Sequence, residues 1–339
     1  MAKRTSLLIN GYGRIGRVLH RILLQSGEKE IQVLGINSRA GAASHAHLLK
    51  YDSTYGVLKE KVTHGQDWLK INGQKIKVYD DKNPGKINFR KEGIDLVAEC
   101  TGVFRDRENC ERQLSAGAKK VIISAPGKDE DISIVLGVNH HLYRPQKHQI
   151  VSNASCTTNA LAMLVKVIQA GFGLRCAQLT TIHSLTLSQN LLDKSHHKNM
   201  RIARAAVDSF IPSTTGASKA IGLIFPELKG CFNALSVRVP FSTVSLIDLV
   251  AQLKKPTTAD KLNQAFRLAS RSHLKNYLGF SQEPLVSIDY KGEPCSAVVD
   301  GLSTNVIGQR LVKVLAWYDN EWGYTSRLYD LLKLISKSL

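Results

Sequence analysis

The sequence predicts an α/β protein in which a doubly wound domain with a parallel sheet is joined to a second, α+β domain with a large mixed sheet. Three observations lead to this prediction. A strand, a glycine-rich turn and a helix open the chain, and further strands of a doubly wound sheet are predicted up to about residue 150. From residue 176 onward the predicted strands are longer and few crossover helices separate them, which is typical of a mixed or antiparallel sheet.

The first predicted strand, residues 5–10, runs into Gly11-Tyr12-Gly13-Arg14-Ile15-Gly16, and a helix follows. This is the GxGxxG pattern of the Rossmann fold, whose glycines let the main chain approach a pyrophosphate at a helix N-terminus. A second predicted strand at 31–36 completes a βαβ unit of the right length. We therefore expect Gly11, Gly13 and Gly16 to bind a dinucleotide.

The end of the second strand predicts which dinucleotide. An Asp or Glu normally stands there in NAD-binding folds and holds the 2′-hydroxyl of the ribose. Here the residues are Asn37, Ser38 and Arg39, a set without a carboxylate that suits a 2′-phosphate. We expect NADP to be used at least as well as NAD through Ser38 and Arg39, while use of both cofactors stays open if Arg39 points to solvent.

Further strands are predicted at 94–100, 120–124 and 133–138, and a small β-rich excursion with two turns at 51–89. The second domain should contain strands at 176–182, 234–239, 245–253, 284–289 and 311–317. Residues 183–215 have little strand character, and a helix is expected from about 320 to the end. We assign 1–155 and 320–339 to the dinucleotide-binding domain and 156–319 to the catalytic domain.

Cys156 lies between a predicted strand at 149–152 and an apolar helix at 160–168. Its neighbours carry hydroxyl and amide groups that suit a helix N-terminus. A core cysteine would instead be expected within an apolar run. Because free main-chain N–H groups and the helix dipole favour negative charge, we expect a stabilised thiolate and a nucleophilic Cys156.

His183 follows the predicted strand at 176–182, at a sheet edge where it could meet Cys156. A histidine beside a thiol lowers the pKa of the thiol and can remove a proton in a later step. The chain has 11 histidines, however, and the pattern alone does not single out His183.

The composition restricts the choice of partners. Apolar residues make up 43% of the chain, no apolar run is long enough to span a bilayer, and the N-terminus lacks a secretory pattern, so we expect a cytoplasmic protein with no membrane partner. The six scattered cysteines have no metal-type spacing, and we expect no metal. The net charge of +18 favours anionic ligands, but the basic residues are spread along the chain and do not require nucleic acid.

Six blocks, in order and with matching spacing, resemble the glyceraldehyde-3-phosphate dehydrogenase family. They are INGYGRIGR at 9–17, HLLKYDS at 47–53, SNASCTTN at 152–159, IPSTTGASKA at 211–220, RVP at 238–240 and WYDNEWGY at 317–324. The resemblance implies phosphorylating oxidation of glyceraldehyde 3-phosphate to 1,3-bisphosphoglycerate, a step of glycolysis and gluconeogenesis. It also implies that Cys156 forms a thiohemiacetal and then a thioester, that His183 takes the proton, and that inorganic phosphate releases the acyl group.

The resemblance assigns the remaining site residues as well. Ser155, Thr157, Thr215 and Gly216 match the pocket for the attacking phosphate, and Thr186 and Arg238 match the pocket for the phosphate of the substrate. The cofactor contacts, in addition to the glycines, Ser38 and Arg39, are Arg14, Ile15, Lys82, Thr101, Ser124, Asn320 and Tyr324. Lys82 stands where the family often has Arg, and Asn320 matches the residue that orients the nicotinamide amide.

Some positions depart from the family pattern. Ser188 replaces an Asp and Ile202 an Arg, on the side that binds the substrate phosphate. Lys194-Ser195 replaces a Leu-Pro pair, and serine at the second position resembles the NADP-using members. This loop reaches a neighbouring subunit in the family, so the resemblance implies a homotetramer.

Two alternatives stay open from the sequence. Erythrose-4-phosphate dehydrogenase, a close relative, has the same Cys and His, although its usual segment lacks the TTGASK pattern present at 214–219. A second activity of another class, binding of nucleic acid or a charged surface, would use the positive charge.

Overall fold

The computed structural model describes residues 4–196 and 199–339, and the chain forms two compact units. The first comprises residues up to 134 together with 140–154 and 325–339, and the second comprises 135–139 and 155–324. The α/β fold class is confirmed, with a doubly wound Rossmann sheet in the first unit and a large mixed sheet in the second. Within the described residues, no helix is both long and apolar enough to cross a membrane.

In the described part of the first unit there are eleven strands and four α-helices. In chain order they are β1 (Thr5–Asn10), α1 (Arg14–Gln25), β2 (Ile31–Asn37), α2 (Gly41–Lys50), β3 (Tyr51–Asp52), β4 (Gly56–Val57), β5 (Val62–His64), β6 (Trp68–Ile71), β7 (Gln74–Tyr79), α3 (Phe89–Glu92), β8 (Leu96–Glu99), α4 (Arg107–Ser115), β9 (Lys120–Ile123), β10 (Ile132–Ser133) and β11 (Ile150–Ser152).

Nine of these strands form one sheet in the order β10-β11-β9-β8-β1-β2-β7-β6-β5. The strands from β10 to β7 are parallel, so their carboxyl ends share one edge of the sheet. Every residue of β1 and of β8 is buried, as expected for central strands covered on both faces. An apolar cluster that includes Leu8, Phe89, Val97 and Cys110 fills the core beside them.

Leaving out residues 197–198, which the structure does not describe, the second unit contains seven strands and three α-helices, and a further helix begins at its end. In chain order they are α5 (Cys156–Phe172), β12 (Leu174–Ser184), β13 (Ile211–Thr214), α6 (Ala217–Ile224), β14 (Phe232–Val239), β15 (Ser245–Leu253), α7 (Ala259–Arg271), β16 (Leu278–Ser281), β17 (Ala297–Ile307), β18 (Leu311–Tyr318) and α8 (Trp322–Ser336).

These strands form a mixed sheet in the order β13-β14-β12-β15-β18-β17-β16. β12 lies in its interior, parallel to β14 and antiparallel to β15. Along β15 and β18 the residues alternate between buried and less buried positions, which places one face against the core. α5 contacts β12, β15 and β17, and it is buried almost all round because its residues from 157 to 165 carry no charge.

Two predicted strands are wrong. At 133–138, pairing ends at Ser133 because the chain turns back and the side chain of Asn139 accepts a hydrogen bond from the N–H of Val135 at 2.8 Å. At 284–289, Pro284 lacks an N–H group, and the Asp289 side chain caps a short 3₁₀ helix by accepting from the N–H of Val286 at 2.8 Å. The elements that were not predicted from the sequence are α2, α3, α4, α6, α7, β13, β16 and β17.

The first unit contains a buried Tyr12–His20 pair that makes its stability depend on pH. The Tyr12 hydroxyl lies 2.6 Å from Nδ1 of His20, and both residues are at most 2% exposed. Burial lowers the pKa of His20 to about 4. Because an unfolded histidine has a pKa of about 6.5, the unfolded chain binds the proton first, and stability is lost as the pH falls from about 6.5 to about 4.

Glutamine at position 20 can still form a hydrogen bond with Tyr12 but does not titrate. We therefore expect His20→Gln to reduce the loss of unfolding free energy with falling pH by up to about 1.4 kcal/mol per pH unit. Urea midpoints at several pH values between about 7.5 and about 4.5 measure it. The exposed His273→Gln is the matched control and should keep the wild-type slope. An identical slope in His20→Gln and wild type would contradict the assignment.

Candidate active site

Cys156 is the first residue of α5, and Ser155 caps that helix. The Ser155 hydroxyl accepts a hydrogen bond from the main-chain N–H of Thr158 at 3.1 Å, and the Asn159 side chain donates to the Ser155 carbonyl at 3.0 Å. These bonds satisfy groups that a helix start leaves open. The cap fixes the first turn and thereby the direction of the Cys156 side chain.

The structure brings Cys156, His183 and Arg238 together. Sγ of Cys156 lies 3.4 Å from Nε2 of His183, and Nη1 of Arg238 lies 2.8 Å from Nδ1 on the other side of the same ring. His183 and Arg238 are direct partners in the parallel pairing of β12 with β14. Their side chains therefore emerge side by side on the sheet.

The electrostatics of the thiol differ from the expectation of a stabilised thiolate. Desolvation raises the pKa of Cys156 above its usual value, and this effect outweighs the Arg238 charge and the hydrogen bonds from Thr157 and the main chain, which lower it. Burial and the nearby Arg238 charge together lower the pKa of His183 to about 3. At neutral pH the site therefore holds a neutral imidazole beside a neutral thiol, and His183 can accept a proton.

Tyr318 supports this arrangement from β18. Its hydroxyl lies 3.0 Å from the hydroxyl of Thr157 on α5 and 2.8 Å from that of Thr181 on β12. Its ring meets the His183 imidazole edge-on, with centroids 6.0 Å apart. One buried hydroxyl thus links the first turn of α5 to the strand that carries His183.

The amide of Asn320 has a fixed orientation. Its Oδ1 accepts hydrogen bonds from the hydroxyls of Ser184 at 2.6 Å and Ser245 at 3.0 Å. Because two donors face Oδ1, the Asn320 nitrogen points the other way and can donate to a carbonyl. Tyr324 is buried two residues into α8.

The residues matched to the phosphate pockets lie in four places of the second unit. Ser155 and Thr157 belong to the start of α5, and Arg238 lies on β14. Thr186 is exposed, and its hydroxyl contacts Ser188 at 2.9 Å and the Gln189 side chain at 3.0 Å.

Thr215 and Gly216 immediately precede α6. Gly216 is the N-cap residue of this helix, and the Thr215 hydroxyl accepts from the N–H of Ala217 at 3.3 Å. The sequence analysis assigned these two residues through the resemblance and missed the helix that follows them.

Of the three glycines in the glycine-rich turn of the first unit, only Gly13 has room for a β-carbon. A β-carbon at Gly11 would lie 2.5 Å from the main-chain nitrogen of Thr101, and one at Gly16 would lie 2.2 Å from the Gly11 carbonyl oxygen. These two glycines permit close packing of the turn. A β-carbon at Gly13, the N-cap of α1, would meet no atom within 4 Å, so this part of the turn is open to a ligand.

The other matched residues of this unit gather at the carboxyl edge of its parallel sheet. Ser38 and Arg39 follow β2, Thr101 follows β8 and Ser124 follows β9. Lys82 is exposed shortly after β7. This edge is where doubly wound sheets bind their ligands.

Two buried side chains order that edge. Glu99 accepts hydrogen bonds from Asn10, from the hydroxyl and N–H of Thr101, and from Gln113, and burial raises its pKa. The amide nitrogen of Asn37 donates to Oδ1 of Asn10 at 2.8 Å and to the Asp81 carbonyl at 3.0 Å. Its Oδ1 accepts from the main-chain N–H of Asp81 at 3.0 Å.

Arg14 is paired with an acidic residue of the first unit. Its guanidinium bonds to the carboxylate of Asp52 at 2.6 Å and lies over the ring of Tyr55. Ile15, the next residue of α1, is half-buried.

Comparison with known proteins identifies the family. The profile described as "Glyceraldehyde 3-phosphate dehydrogenase, NAD binding domain" matches residues 5–107, and "Glyceraldehyde 3-phosphate dehydrogenase, C-terminal domain" matches 155–320. Glyceraldehyde-3-phosphate dehydrogenase of Geobacillus stearothermophilus is 48% identical over 328 residues, which cover 97% of each chain. Glyceraldehyde-3-phosphate dehydrogenase 1 of Bacillus cereus is 47% identical over 327 residues, or 96% of this chain and 97% of that one.

This chain belongs to the glyceraldehyde-3-phosphate dehydrogenase family. The resemblance stated from the sequence blocks is thereby confirmed. In this family member the structure brings together two sets of matched residues, one in each unit. Cys156, His183 and Arg238 form one contact group, and the residues around the glycine-rich turn share one sheet edge.

The sequence patterns gave no sign of several supporting residues in this family member. Tyr318 holds the first turn of α5, and Ser184 and Ser245 fix the Asn320 amide. Glu99 and Asn37 order the carboxyl edge of the parallel sheet in the first unit. Alternation along β18 could have placed Tyr318 on the core face, where a buried hydroxyl needs a partner. Nothing in the local sequence indicates which hydroxyls it meets.

We expect Tyr318→Phe to lower the free energy of unfolding by about 1–3 kcal/mol, because two buried threonine hydroxyls lose a hydrogen-bond partner. Urea unfolding measures the change. Tyr51→Phe, at a half-exposed residue, is the control and should leave the stability within about 0.5 kcal/mol of wild type. Equal stability of the Tyr318 variant and wild type would show that the two hydrogen bonds of the Tyr318 hydroxyl contribute no net stability.

Proposed function

We propose that this chain catalyses the phosphorylating oxidation of glyceraldehyde 3-phosphate to 1,3-bisphosphoglycerate with NAD or NADP, a step of glycolysis and gluconeogenesis. The observation that carries the proposal is the contact of Cys156 Sγ with the neutral imidazole of His183 in a member of this family. The two matched profiles, at 5–107 and 155–320, support the same activity.

Cys156 and His183 carry the covalent steps. The sulfur of Cys156 adds to the aldehyde carbon, and the thiol proton passes through Nε2 of His183 to the carbonyl oxygen, which gives a thiohemiacetal. The chemistry that NAD or NADP would supply when bound is a hydride acceptor for that carbon. His183 takes back the hydroxyl proton in the same step, and a thioester remains on Cys156.

Inorganic phosphate completes the reaction. One of its oxygens attacks the thioester carbonyl and the C–S bond breaks. The sulfur of Cys156 takes the proton that His183 holds, and the proton of the hydrogen phosphate is released to solvent. We assign the attacking phosphate to Ser155, Thr157, Thr215 and Gly216, which offer hydroxyls and main-chain N–H groups at helix starts. We assign the phosphate of the substrate to Arg238 and Thr186, since a guanidinium binds phosphate through charge-assisted bonds.

Asn320 is proposed to hold the nicotinamide amide. Ser184 and Ser245 fix its Oδ1 as an acceptor, so the nitrogen can donate to the nicotinamide carbonyl. Tyr324 is proposed to stand beside it. In the first unit, Gly13 and the start of α1 would hold the pyrophosphate, with Gly11, Gly16, Arg14, Ile15, Thr101, Ser124 and Lys82 as the further contacts.

We further propose that NADP is used at least as well as NAD. The turn after β2 carries Ser38 and exposed Arg39 and no carboxylate that would repel a 2′-phosphate. Ser38 is held in place because its N–H donates to the Tyr79 carbonyl at 2.9 Å. Its hydroxyl and the Arg39 guanidinium are suitable donors to phosphate oxygens.

A homotetramer in the cytoplasm is also proposed. Between β12 and β13, several large apolar side chains are exposed in the single chain, among them Leu187 at 91%, Met200 at 77% and Phe210 at 73%. Such a surface is typical of a subunit interface. The domain roles remain as assigned from the sequence, with cofactor binding by 1–155 and 320–339 and catalysis by 156–319.

The two alternatives have no specific observation in their favour. The relatives named above are glyceraldehyde-3-phosphate dehydrogenases rather than erythrose-4-phosphate dehydrogenases. The positive charge alone carries no argument for nucleic-acid or surface binding.

Cys156→Ser should abolish oxidation and phosphate-dependent release while leaving cofactor binding nearly intact, because a serine hydroxyl is a poor nucleophile beside a neutral imidazole of low basicity. Stopped-flow absorbance of the reduced cofactor and calorimetric cofactor binding measure the two effects. Cys176→Ser, at an exposed thiol on β12, is the control and should keep wild-type rates. Residual activity above about 1% of wild type would require another nucleophile.

Ser38→Asp combined with Arg39→Leu should shift the preference from NADP toward NAD, because the carboxylate binds a 2′-hydroxyl and repels a 2′-phosphate. Loss of a charge-assisted bond is worth about 1.5–3 kcal/mol, or about ten- to a hundredfold in the ratio of kcat/KM values. Steady-state kinetics with both cofactors test it. The proposal fails if wild type strongly prefers NAD or if the double variant keeps the wild-type ratio.

A further inference from the structure

Two of the six cysteines are neighbours across the pairing of β12 with β14. The two strands are parallel with Ala177 opposite Phe232, and the N–H of Ala177 donates to the Cys231 carbonyl at 2.9 Å. This bond continues the pairing one position before β14 begins, so Cys176 stands opposite Cys231. Paired strands are about 4.8 Å apart, and a disulfide joins residues whose Cα atoms are about 4.4–6.8 Å apart. The spacing of the two strands therefore suits a disulfide.

The two cysteine side chains lie on the same face of the sheet. Successive side chains of a strand alternate between faces, and residues opposite each other on paired strands share a face. Ala177 is buried, whereas Cys176 and Gln178 are exposed. Gln178 is paired with Asn233, which is exposed as well, and Cys231 is half-buried two positions before it. Both thiols therefore lie on the more exposed face of this sheet.

The surroundings of the pair allow the two sulfurs to meet. Sγ of Cys176 lies 3.8 Å from Oε1 of Gln252, and a thiol is a weak donor, so a change of rotamer costs little. Cys231 ends a turn in which its N–H donates to the Leu228 carbonyl at 3.0 Å and Gly230 has a φ of +82°. Because the pairing ends at this turn, the main chain can adjust to bring the β-carbons to the usual separation of about 3.8 Å.

The other four cysteines lack such an arrangement. All six are free thiols, and no strand pairing in the described chain puts a cysteine opposite Cys100, Cys110, Cys156 or Cys295. Burial raises the pKa of Cys100 to about 12 and that of Cys110 to about 12, which makes both thiols unreactive. Cys176 and Cys231 are therefore the two cysteines that the fold prepares for a bond with each other.

We propose that Cys176 and Cys231 are a reversible oxidation site, at which a low-molecular-weight disulfide converts the two thiols into a disulfide between β12 and β14. The inference is independent of the proposed function, since neither residue belongs to the active site. Disulfides in reducing compartments are usually transient. The bond should therefore form when the surrounding thiol pool becomes oxidised and open again when the pool is reduced.

The oxidation proceeds by two thiol–disulfide exchanges. The thiolate of Cys176, the more exposed residue, attacks one sulfur of the small disulfide, breaks its S–S bond and releases one small thiol. Cys231 then attacks the Cys176 sulfur of this mixed disulfide and releases the second small thiol. The two protein thiols lose two electrons and two protons, and the small disulfide gains both.

The bond would secure the strand pairing on which the active site depends. Cys176 and Cys231 are 55 positions apart, and a cross-link that closes a long loop restricts the unfolded chain. His183 and Arg238 lie seven positions farther along the same two strands, about 23 Å away at about 3.3 Å per residue. The disulfide would thus stabilise the far end of the pairing without contacting the reactive group.

The first test maps the bond in full-length wild type. The protein is equilibrated in buffers of reduced and oxidised glutathione, quenched with acid, blocked with N-ethylmaleimide and digested with trypsin without reduction. Mass spectrometry should find peptides 176–194 and 230–238 joined, and reduction should separate them. Cys176→Ser and Cys231→Ser should each lack the joined species, and the control Cys295→Ser should retain it. A glutathione adduct on Cys156 lies in another peptide and is measured separately.

Two outcomes of this mapping would overturn the proposal. One is glutathione bound to Cys176 or Cys231 without the joined peptides at any ratio of the two glutathione forms. The other is a bond between two chains, visible as a covalent dimer on a denaturing gel without reductant, because the strand pairing places both cysteines in one chain. Wild type alone gives these results, so the decision does not depend on the folding of a variant.

The second test measures what the bond does to stability. Urea unfolding of Cys156→Ser, in which the active-site thiol cannot contribute, is compared before and after oxidation, with glutathione removed. We expect the oxidised form to have a midpoint about 0.5–1 M higher. The matched control adds Cys176→Ser and Cys231→Ser to the same chain and should have one midpoint under both conditions. An equal or lower midpoint in the oxidised form would overturn the stabilising role of the bond.

Discussion

The parallel pairing of β12 with β14 is the constraint on which the reactive group depends. It places His183 opposite Arg238, and α5, packed on the same sheet, brings Cys156 to the other nitrogen of the ring. Tyr318 joins the helix start to β12 through two threonine hydroxyls. A shift of one residue in this register would send the His183 side chain to the opposite face and separate all three groups.

Burial governs the chemistry of this group. A sulfur at a helix start beside an arginine would be expected to ionise easily, yet desolvation raises the pKa of Cys156 and lowers that of His183. The pair therefore rests uncharged, and charge appears only as the proton moves. A neutral imidazole suits a cycle in which the same proton leaves the thiol, reaches the substrate oxygen and returns.

The local parts of the structure could be predicted from the sequence. The glycine-rich turn, the polar start of α5 and the strands with clear periodicity depend on neighbouring residues, and the structure has them where they were expected. The predicted strands at 133–138 and 284–289 are wrong because the side chains of Asn139 and Asp289 close turns there. The hydrophobic periodicity of a sequence does not show where such side-chain capping bonds form.

The contacts that assemble the site could not be predicted in this way. Cys156 and His183 are 27 positions apart, and Thr157 and Tyr318 are 161 positions apart, so each contact depends on strand order and register. The sequence indicated His183 as a sheet-edge residue, and only the resemblance selected it among 11 histidines. The RVP motif assigned Arg238 to a phosphate alone, and it could not predict the contact of Arg238 with the His183 imidazole.

The central claim, an acyl group carried on Cys156 between oxidation and phosphate release, is tested most directly by rapid mixing without phosphate. Wild-type protein, NADP and glyceraldehyde 3-phosphate are mixed, the reduced cofactor is followed by absorbance, and the quenched protein is analysed by peptide mass spectrometry. The account predicts a burst of reduced cofactor stoichiometric with the chain, an acyl adduct on the Cys156 peptide, and steady turnover only after phosphate is added. Sustained turnover without phosphate, or an adduct on another residue, would contradict it.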